Sequence, residues 1–202
     1  MKKHLYSFKT VIVESEAQAI EYKSNYESNG NVEVNTDYIK KAKALLIYKN
    51  SKLLGGCILN HKGLQPLRYM ELIKSEMDRK SLLEIDRISE DDLMEMCCIF
   101  HAKGISAWDR LWFYLMIFKK TAEYAHQWKK KGILGGSVIT QIQRLQIKLM
   151  PHVLFRANIN EKLTLFGHHE GVLMIYYADS AYFFQKALWV LLSDSMSRLL
   201  HR

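Results

Sequence analysis

The sequence predicts an α/β (α+β) protein built on a mixed central sheet with flanking helices and an extra helix at its C-terminal end. Three observations carry this. Residues 44–48 and 53–60 are apolar runs separated by the polar stretch Lys49-Asn50-Ser51-Lys52, the pattern of a β-hairpin. Residues 93–100 form another apolar run, followed by a short polar stretch and then by apolar residues at helical spacing as far as Ala125. Residues 133–139 are apolar again, and two strands joined by a long helix run parallel with a right-handed crossover.

Taken in order, residues 5–13 are rich in aromatic and β-branched side chains and predict a first strand. Ser15 offers an N-cap to a helix whose apolar face begins with Ala17, Ala19 and Ile20 and which ends by Asn29-Gly30. Residues 31–35 read as a loop, and Thr36-Asp37 as the cap of a short helix through Lys41. Within the hairpin, Gly55-Gly56 predicts a bulge or a close backbone approach. Residues 67–77 read as a helix covering the hairpin, and residues 84–92 as an acidic connection.

The long helix carries Ile105, Trp108, Leu111, Trp112, Leu115, Phe118, Ala122 and Ala125 on one predicted stripe, so Trp108 and Trp112 are expected in the core. Lys131-Gly132 marks its expected end. A short helix over 141–149 is stopped by Pro151. Strands follow over 153–159, 162–166 and 172–177, with Gly167-His168-His169-Glu170-Gly171 as a turn; adjacent histidines diverge, so no metal site is expected there. The last helix, from Ser180 to about Leu200, carries Phe183, Phe184, Leu188, Leu191, Leu192, Met196 and Leu199. It is apolar on too many sides to stand free, which points to packing on the sheet or to a homodimer contact.

At 202 residues the chain is long enough for one domain, expected over 1–179, with residues 180–202 as an added helix. Hydrophobic residues make up 49% and charged ones 25%, which excludes a largely disordered chain. Lys and Arg number 29 against 21 Asp and Glu, and the resulting +8 draws anionic partners. Nucleic acid is disfavoured among them, because no basic helix face or aromatic-basic interleaving is present. Cys57, Cys97 and Cys98 are an odd number without framework spacing, the usage of a reducing, cytoplasmic setting. No apolar run approaches the ~20 residues that cross a bilayer.

Residues 93–106 concentrate the chemistry. A strand, a tight polar loop and a helix aim free N–H groups and a positive helix end at whatever lies over the loop, which suits a phosphate-bearing ligand. Glu95 is the sole acid in its apolar strand, a place where burial raises a carboxylate's pKa toward that of a useful base.

This order of elements resembles the GCN5-related N-acetyltransferase (GNAT) superfamily over most of the chain. Three places carry the likeness: the hairpin with its Gly55-Gly56-Cys57, the loop His101-Ala102-Lys103-Gly104-Ile105-Ser106, similar to the family's pyrophosphate loop, and Glu95 in the fourth strand. Gly55-Gly56-Cys57-Ile58-Leu59 with Pro66 beyond it is also similar to the acyl-homoserine-lactone and N-acyl amino acid synthases of that superfamily. His101 and Ser106 depart from the usual loop residues, Ile58 and Cys98 stand where those synthases carry arginines, and residues 141–149 lack the family's acid tyrosine.

The resemblance implies an N-acyltransferase using acetyl-CoA or a longer acyl-CoA, or an acyl-carrier protein, with an unidentified amine as acceptor. It implies Glu95 as general base, and Met96, Cys97, Cys98, His101, Lys103, Gly104, Ile105 and Ser106 against the cofactor. The alternative is a module of the same fold that has lost catalysis and senses acyl-CoA or engages a protein.

Overall fold

The computed structural model describes residues 7–29, 33–73, 75–85, 87–159 and 171–200. The expected strand over 162–166 and the turn with His168-His169-Glu170 lie outside these residues. In chain order the elements are β1 (Phe8–Ile12), α1 (Glu16–Ser28), α2 (Thr36–Lys41), β2 (Lys43–Lys49) and β3 (Lys52–His61). Then come α3 (Arg68–Glu71), α4 (Glu76–Ile85), a 3-10 turn (Glu90–Asp92), β4 (Leu93–His101) and α5 (Ala107–Gln127). The chain closes with β5 (Gly132–Ser137), α6 (Thr140–Leu149), β6 (His152–Ile159), β7 (Gly171–Asp179) and α7 (Ser180–Leu200).

The strands form one sheet in the order β1-β2-β3-β4-β5-β7-β6. Every neighbouring pair is antiparallel except β4 and β5, which the long α5 connects in parallel. Alternation along the strands feeds two cores. Leu46, Ile58 and Leu134 face the side covered by α1 and α2, with Tyr22 and Ile39. Leu45, Ile47, Leu59 and Ile133 face the α5 and α7 side, with Phe113, Ile117 and Phe183. No helix among the described residues is long and apolar enough to cross a membrane.

Local chemistry sets the boundaries. Ser15 caps α1 reciprocally with Gln18, as a capping box requires. The N-cap of α2 is Asn35, whose side chain accepts from the Asp37 N–H, one residue before the expected Thr36. Asn50 and Ser51 both have positive φ, 49° and 66°, so the hairpin turns on two residues of the twist that antiparallel strands prefer. Gly55 and Gly56 are both close approaches: a Cβ on Gly55 would lie 2.2 Å from the Phe100 carbonyl oxygen, and one on Gly56 2.6 Å from that of Leu45.

Several expectations are corrected. Helix α1 buries Ala19, Tyr22 and Tyr26, while Ala17 and Ile20 face outward. The single helix over 67–77 is two shorter ones, α3 and α4, and α4 runs on into the stretch expected as a connection. Helix α5 stops at Gln127, with Lys129 rather than a glycine at positive φ (54°), and Gly132 opens β5.

The buried stripe of α5 is Phe113, Ile117, Phe118, Thr121 and Ala125. Trp108 and Trp112 are 69% and 46% exposed instead of core. The run Leu111–Phe118 is apolar all round, so the sheet, not the spacing, selects which side is buried. Helix α7 packs on the same core through Phe183, Ala187 and Val190, and carries Trp189 outward at 74% exposure.

Candidate functional site

The parallel pair at the centre of the sheet is short. Leu93 pairs with Gly132, Met94 with Ile133 and Glu95 with Leu134, and no further pairing joins β4 to β5. Strand β4 continues to His101 along β3, and β5 continues to Ser137 along β7. The two strands therefore part beyond Glu95.

Strand β4 is also bulged there. Ile58 opposes Cys97 and Gly56 opposes Phe100, so Cys98 and Ile99 together face the single Cys57. Cys98 takes φ of 50°, a left-handed value uncommon for a side chain of this kind. The Tyr22 hydroxyl donates to the Cys98 carbonyl at 2.5 Å and fixes the kink. The extra residue shifts the alternation by one, so Glu95, Cys97, Cys98 and Phe100 all project toward the α1 and α2 side.

Glu95 is the last residue of β4 paired with β5 and is fully buried. Neutral donors serve its carboxylate, the Arg68 backbone among them. The Tyr38 hydroxyl (2.8 Å) and the Asn60 amide (2.9 Å) donate to Oε1, and the Tyr69 N–H (3.3 Å) donates to Oε2. Burial raises its pKa above the ordinary carboxylate value, and the bonds from Asn60 and Tyr38 oppose that rise. Tyr38 is a partly exposed residue whose hydroxyl lies between the Glu95 carboxylate and Cys97 Sγ, 3.6 Å away. Asn60 sits opposite Glu95 in the β3–β4 ladder, and its Oδ1 is buried without a partner.

Tyr69 bridges the parted strands: its N–H holds Glu95 on β4, and its ring lies on the bare backbone of Gly136 on β5, where a Cβ would stand 2.7 Å from it. Beside it, the Arg68 guanidinium lies over the Tyr38 ring, 4.9 Å from the centroid, with Nη1 3.3 Å from Cys98 Sγ.

The two neighbouring thiols differ. Burial pushes Cys97 up, whereas Cys98 is held below the ordinary thiol value by its hydrogen bond with Cys97 and by the charge of Arg68.

At the open end of β4, residues 101–106 lead into α5. Ala102 donates its N–H to the Leu54 carbonyl (2.7 Å) and anchors the loop. Gly104 turns at φ of 72°, with nothing within 4 Å of where a Cβ would stand. Ser106 caps α5, its hydroxyl accepting from the Asp109 N–H at 3.0 Å. No hydrogen bond among the described residues takes up the N–H groups of Lys103, Gly104 or Ser106. Asp109 is bonded by Lys49, which holds its carboxyl below the usual range and neutralises the acid closest to the loop.

The structure thus gathers Glu95, Cys97 and Cys98 on one face, with Lys103, Gly104 and Ser106 at the strand's far end. Met96 points to the opposite core, where its sulfur accepts from the Thr121 hydroxyl, and the Ile105 side chain is buried in that core too. The His101 ring turns back toward the Ala102 carbonyl. Sequence reasoning did not single out Tyr38, Asn60, Arg68 or Tyr69. Asn60 had a signal: it is the only amide in an apolar strand, set opposite the only acid in the next.

No protein-family model matches the chain, and no curated protein matches it. Solved structures do. FeeM, an N-acyl amino acid synthase from uncultured soil microbes, aligns over 93% of this chain and 98% of its own, with 11% identity and a TM-score of 0.62. The AHL synthase LasI aligns over 91% and 95%, with 12% identity and a TM-score of 0.57. The yncA protein of Salmonella typhimurium, solved with its cofactor acetyl-CoA, aligns over 86% and 94%, with 10% identity and a TM-score of 0.55. At such identities the likeness is one of fold, and the fold is that of the GNAT acyltransferases.

Proposed function

We propose that this protein is an N-acyltransferase that moves an acyl group from acyl-CoA, or from an acyl-carrier protein, to a primary amine. The observation that carries the reading is the parting of β4 and β5 after three residue pairs, beside a capped helix N-terminus with free N–H groups. A gap between strands accepts an extended arm, and the helix end accepts its phosphates. Lys103, Gly104 and Ser106 hold the phosphates through backbone N–H groups in this reading, and unpaired backbone of β4 beyond Glu95 polarises the thioester carbonyl. The acetyl-CoA of yncA and the synthase names of FeeM and LasI support an acyl donor of this kind. Three free cysteines fit a reducing, cytoplasmic setting.

Glu95 is sealed, so its work as general base passes through Tyr38. An ammonium proton moves to Tyr38 Oη as the Tyr38 hydroxyl proton moves to Glu95. The freed amine attacks the thioester carbon, the C–S bond breaks, and the proton left on nitrogen goes to the departing thiolate. Acyl length and acceptor are the open variables. Thermal shifts with acetyl-, hexanoyl- and palmitoyl-CoA, followed by thiol release across an amine panel, test the reading. A shift with thiol release supports it, and no shift with any acyl-CoA together with no thiol release from acyl-CoA or acyl-carrier protein overturns it. The burial of Glu95 and the lack of a tyrosine on α6 favour a second reading, an acyl-CoA-sensing module, whose signature is a shift without thiol release.

A further inference from the structure

Three donors converge on one sulfur at the bulge of β4. The Arg68 guanidinium donates to Cys98 Sγ at 3.3 Å, and the Cys97 thiol and the Tyr26 hydroxyl donate to it as well. A neutral thiol is a weak acceptor, whereas a thiolate matches all three. Arg68 itself calls for an anion. Among the described residues no carboxylate stands within ion-pair distance of its side chain, and a largely desolvated guanidinium stays ionised at any ordinary pH. The group in contact with it that can become an anion is Cys98.

The third cysteine supplies the contrast. Cys57 lies across the ladder, and burial, then the charge of Cys98, push its thiol up, whereas Cys98 is held down although burial alone would raise it. Its place matters as much as its charge. Cys98 belongs to the part of β4 that is no longer paired with β5, and its backbone is held in the kink by the Tyr22 hydroxyl. Its side chain shares a face with Glu95 and Cys97, and the Tyr38 hydroxyl lies against both of these. A thiolate therefore stands where the strands part, beside the groups that take the proton of the amine.

We propose that Cys98 is a nucleophile that carries the acyl group between donor and amine. This rests on the N-acyltransferase reading and deepens it by making the transfer a double displacement. The Cys98 thiolate attacks the carbonyl carbon of the acyl-CoA thioester, a C–S bond to Cys98 forms as the bond to CoA breaks, and the CoA thiolate leaves and takes a proton from solvent. The amine freed at Tyr38 and Glu95 then attacks the Cys98 thioester. A C–N bond forms, the C–S bond to Cys98 breaks, and the proton left on nitrogen passes to the Cys98 sulfur. That proton and the one held by Glu95 return to solvent, which restores the thiolate. Arg68 is a positioning residue in this scheme.

Two measurements on the full chain test it. The first needs no turnover: alkylation of Cys98 by iodoacetamide, followed against pH by mass spectrometry. Wild-type Cys98 reacts at a pH below the ordinary thiol range, Arg68→Gln moves the midpoint up, and Arg68→Lys restores part of the shift. The second mixes the protein with acetyl-, hexanoyl- or palmitoyl-CoA without amine. The expected result is one acyl group on Cys98, released by hydroxylamine, formed at least as fast as turnover and discharged by amines. Cys98→Ser keeps the side chain's shape, melts close to wild type, and loses both the adduct and at least about 100-fold in transfer rate.

An ordinary alkylation midpoint for wild-type Cys98 overturns the inference. So does thiol release with amines in the absence of an adduct, or a folded Cys98→Ser protein that transfers within about threefold of wild type; the N-acyltransferase reading survives either result. If Cys98 is acylated but no amine discharges it, the thioester site stands and transfer to amines falls.

Discussion

Replacing Glu95 by Gln separates chemistry from architecture at the centre of this site. Glu95→Ala is the wrong probe: it would remove at one stroke an acceptor of the Tyr38 hydroxyl, the Asn60 amide and the Tyr69 N–H and leave a cavity, although Asn60 keeps the Gln65 and Pro66 carbonyls. With about 1–3 kcal/mol for a buried group that loses its acceptor, and the cavity besides, loss of fold and loss of the base would not be separable. Gln keeps the shape and one carbonyl oxygen for Tyr38 and Asn60, and sets an NH2 against the backbone N–H side held by Tyr69 and Arg68. One mismatched donor costs about 1–3 kcal/mol, a fall in Tm of roughly 2–12 °C for a chain of this size.

The pH dependence has a definite sign. Burial raises Glu95 above its unfolded value of 4.5, so the folded protein retains a proton that the unfolded chain releases. Stability then falls as pH rises from 4.5 through the folded value, and Gln has no such proton. The Tm gap between wild type and Glu95→Gln should therefore narrow as pH rises across that window. Catalytically, a lost general base costs about 10²–10⁴ in rate, or roughly 2.7–5.4 kcal/mol of barrier. The assay is thiol release under single turnover, with kcat/KM followed against pH. A folded Glu95→Gln enzyme within about threefold of wild type, with its acid limb unmoved, refutes the base assignment.

Two stability predictions follow from the scaffold. Gly55→Ala drives a Cβ into the Phe100 carbonyl and the Phe113 ring, at 2.2 and 2.6 Å, and should cost at least about 3 kcal/mol in denaturant melts, whereas Gly104→Ala meets no atom and should cost about 1–2 kcal/mol from its left-handed backbone alone. Asp92 is held down to about 2 by Ser89 and Lys131, so its contribution is present above the unfolded 3.8 and lost as pH falls toward 2; melts of Asp92→Asn should match wild type near pH 2 and fall below it at neutral pH.

The parts of this fold legible in the sequence are those whose cause is local. The hairpin, the capping serines Ser15 and Ser106 and the lone acid of β4 each act within a few residues, and each stands where its chemistry places it. Long α5 was legible as a helix but not in its phase. With apolar residues around its whole circumference, burial was decided by contact with β3 and β4, which put Thr121 inside and two tryptophans out.

The surroundings of Glu95 were not legible for a different reason. Tyr38 arrives from 57 residues away and Tyr69 from 26, on short helices whose sequences say nothing of their destination. The setting of Cys98 was not legible either, since neither its bulge nor the nearby Arg68 guanidinium has a pattern of its own.

The short β4–β5 ladder has a mechanical consequence. The sheet is two plates, β1–β4 and β5–β7, sharing a seam of three residue pairs at Leu93, Met94 and Glu95. Rotation about that seam breaks no ladder within either plate, so the cleft widens far more cheaply than any other part of the sheet. Tyr69 is the strap across it, tied to one plate through Glu95 and resting on the other at Gly136. Protonating or replacing Glu95 therefore loosens the strap as well as the base, and amide exchange at the inner edges of both plates should quicken when it does.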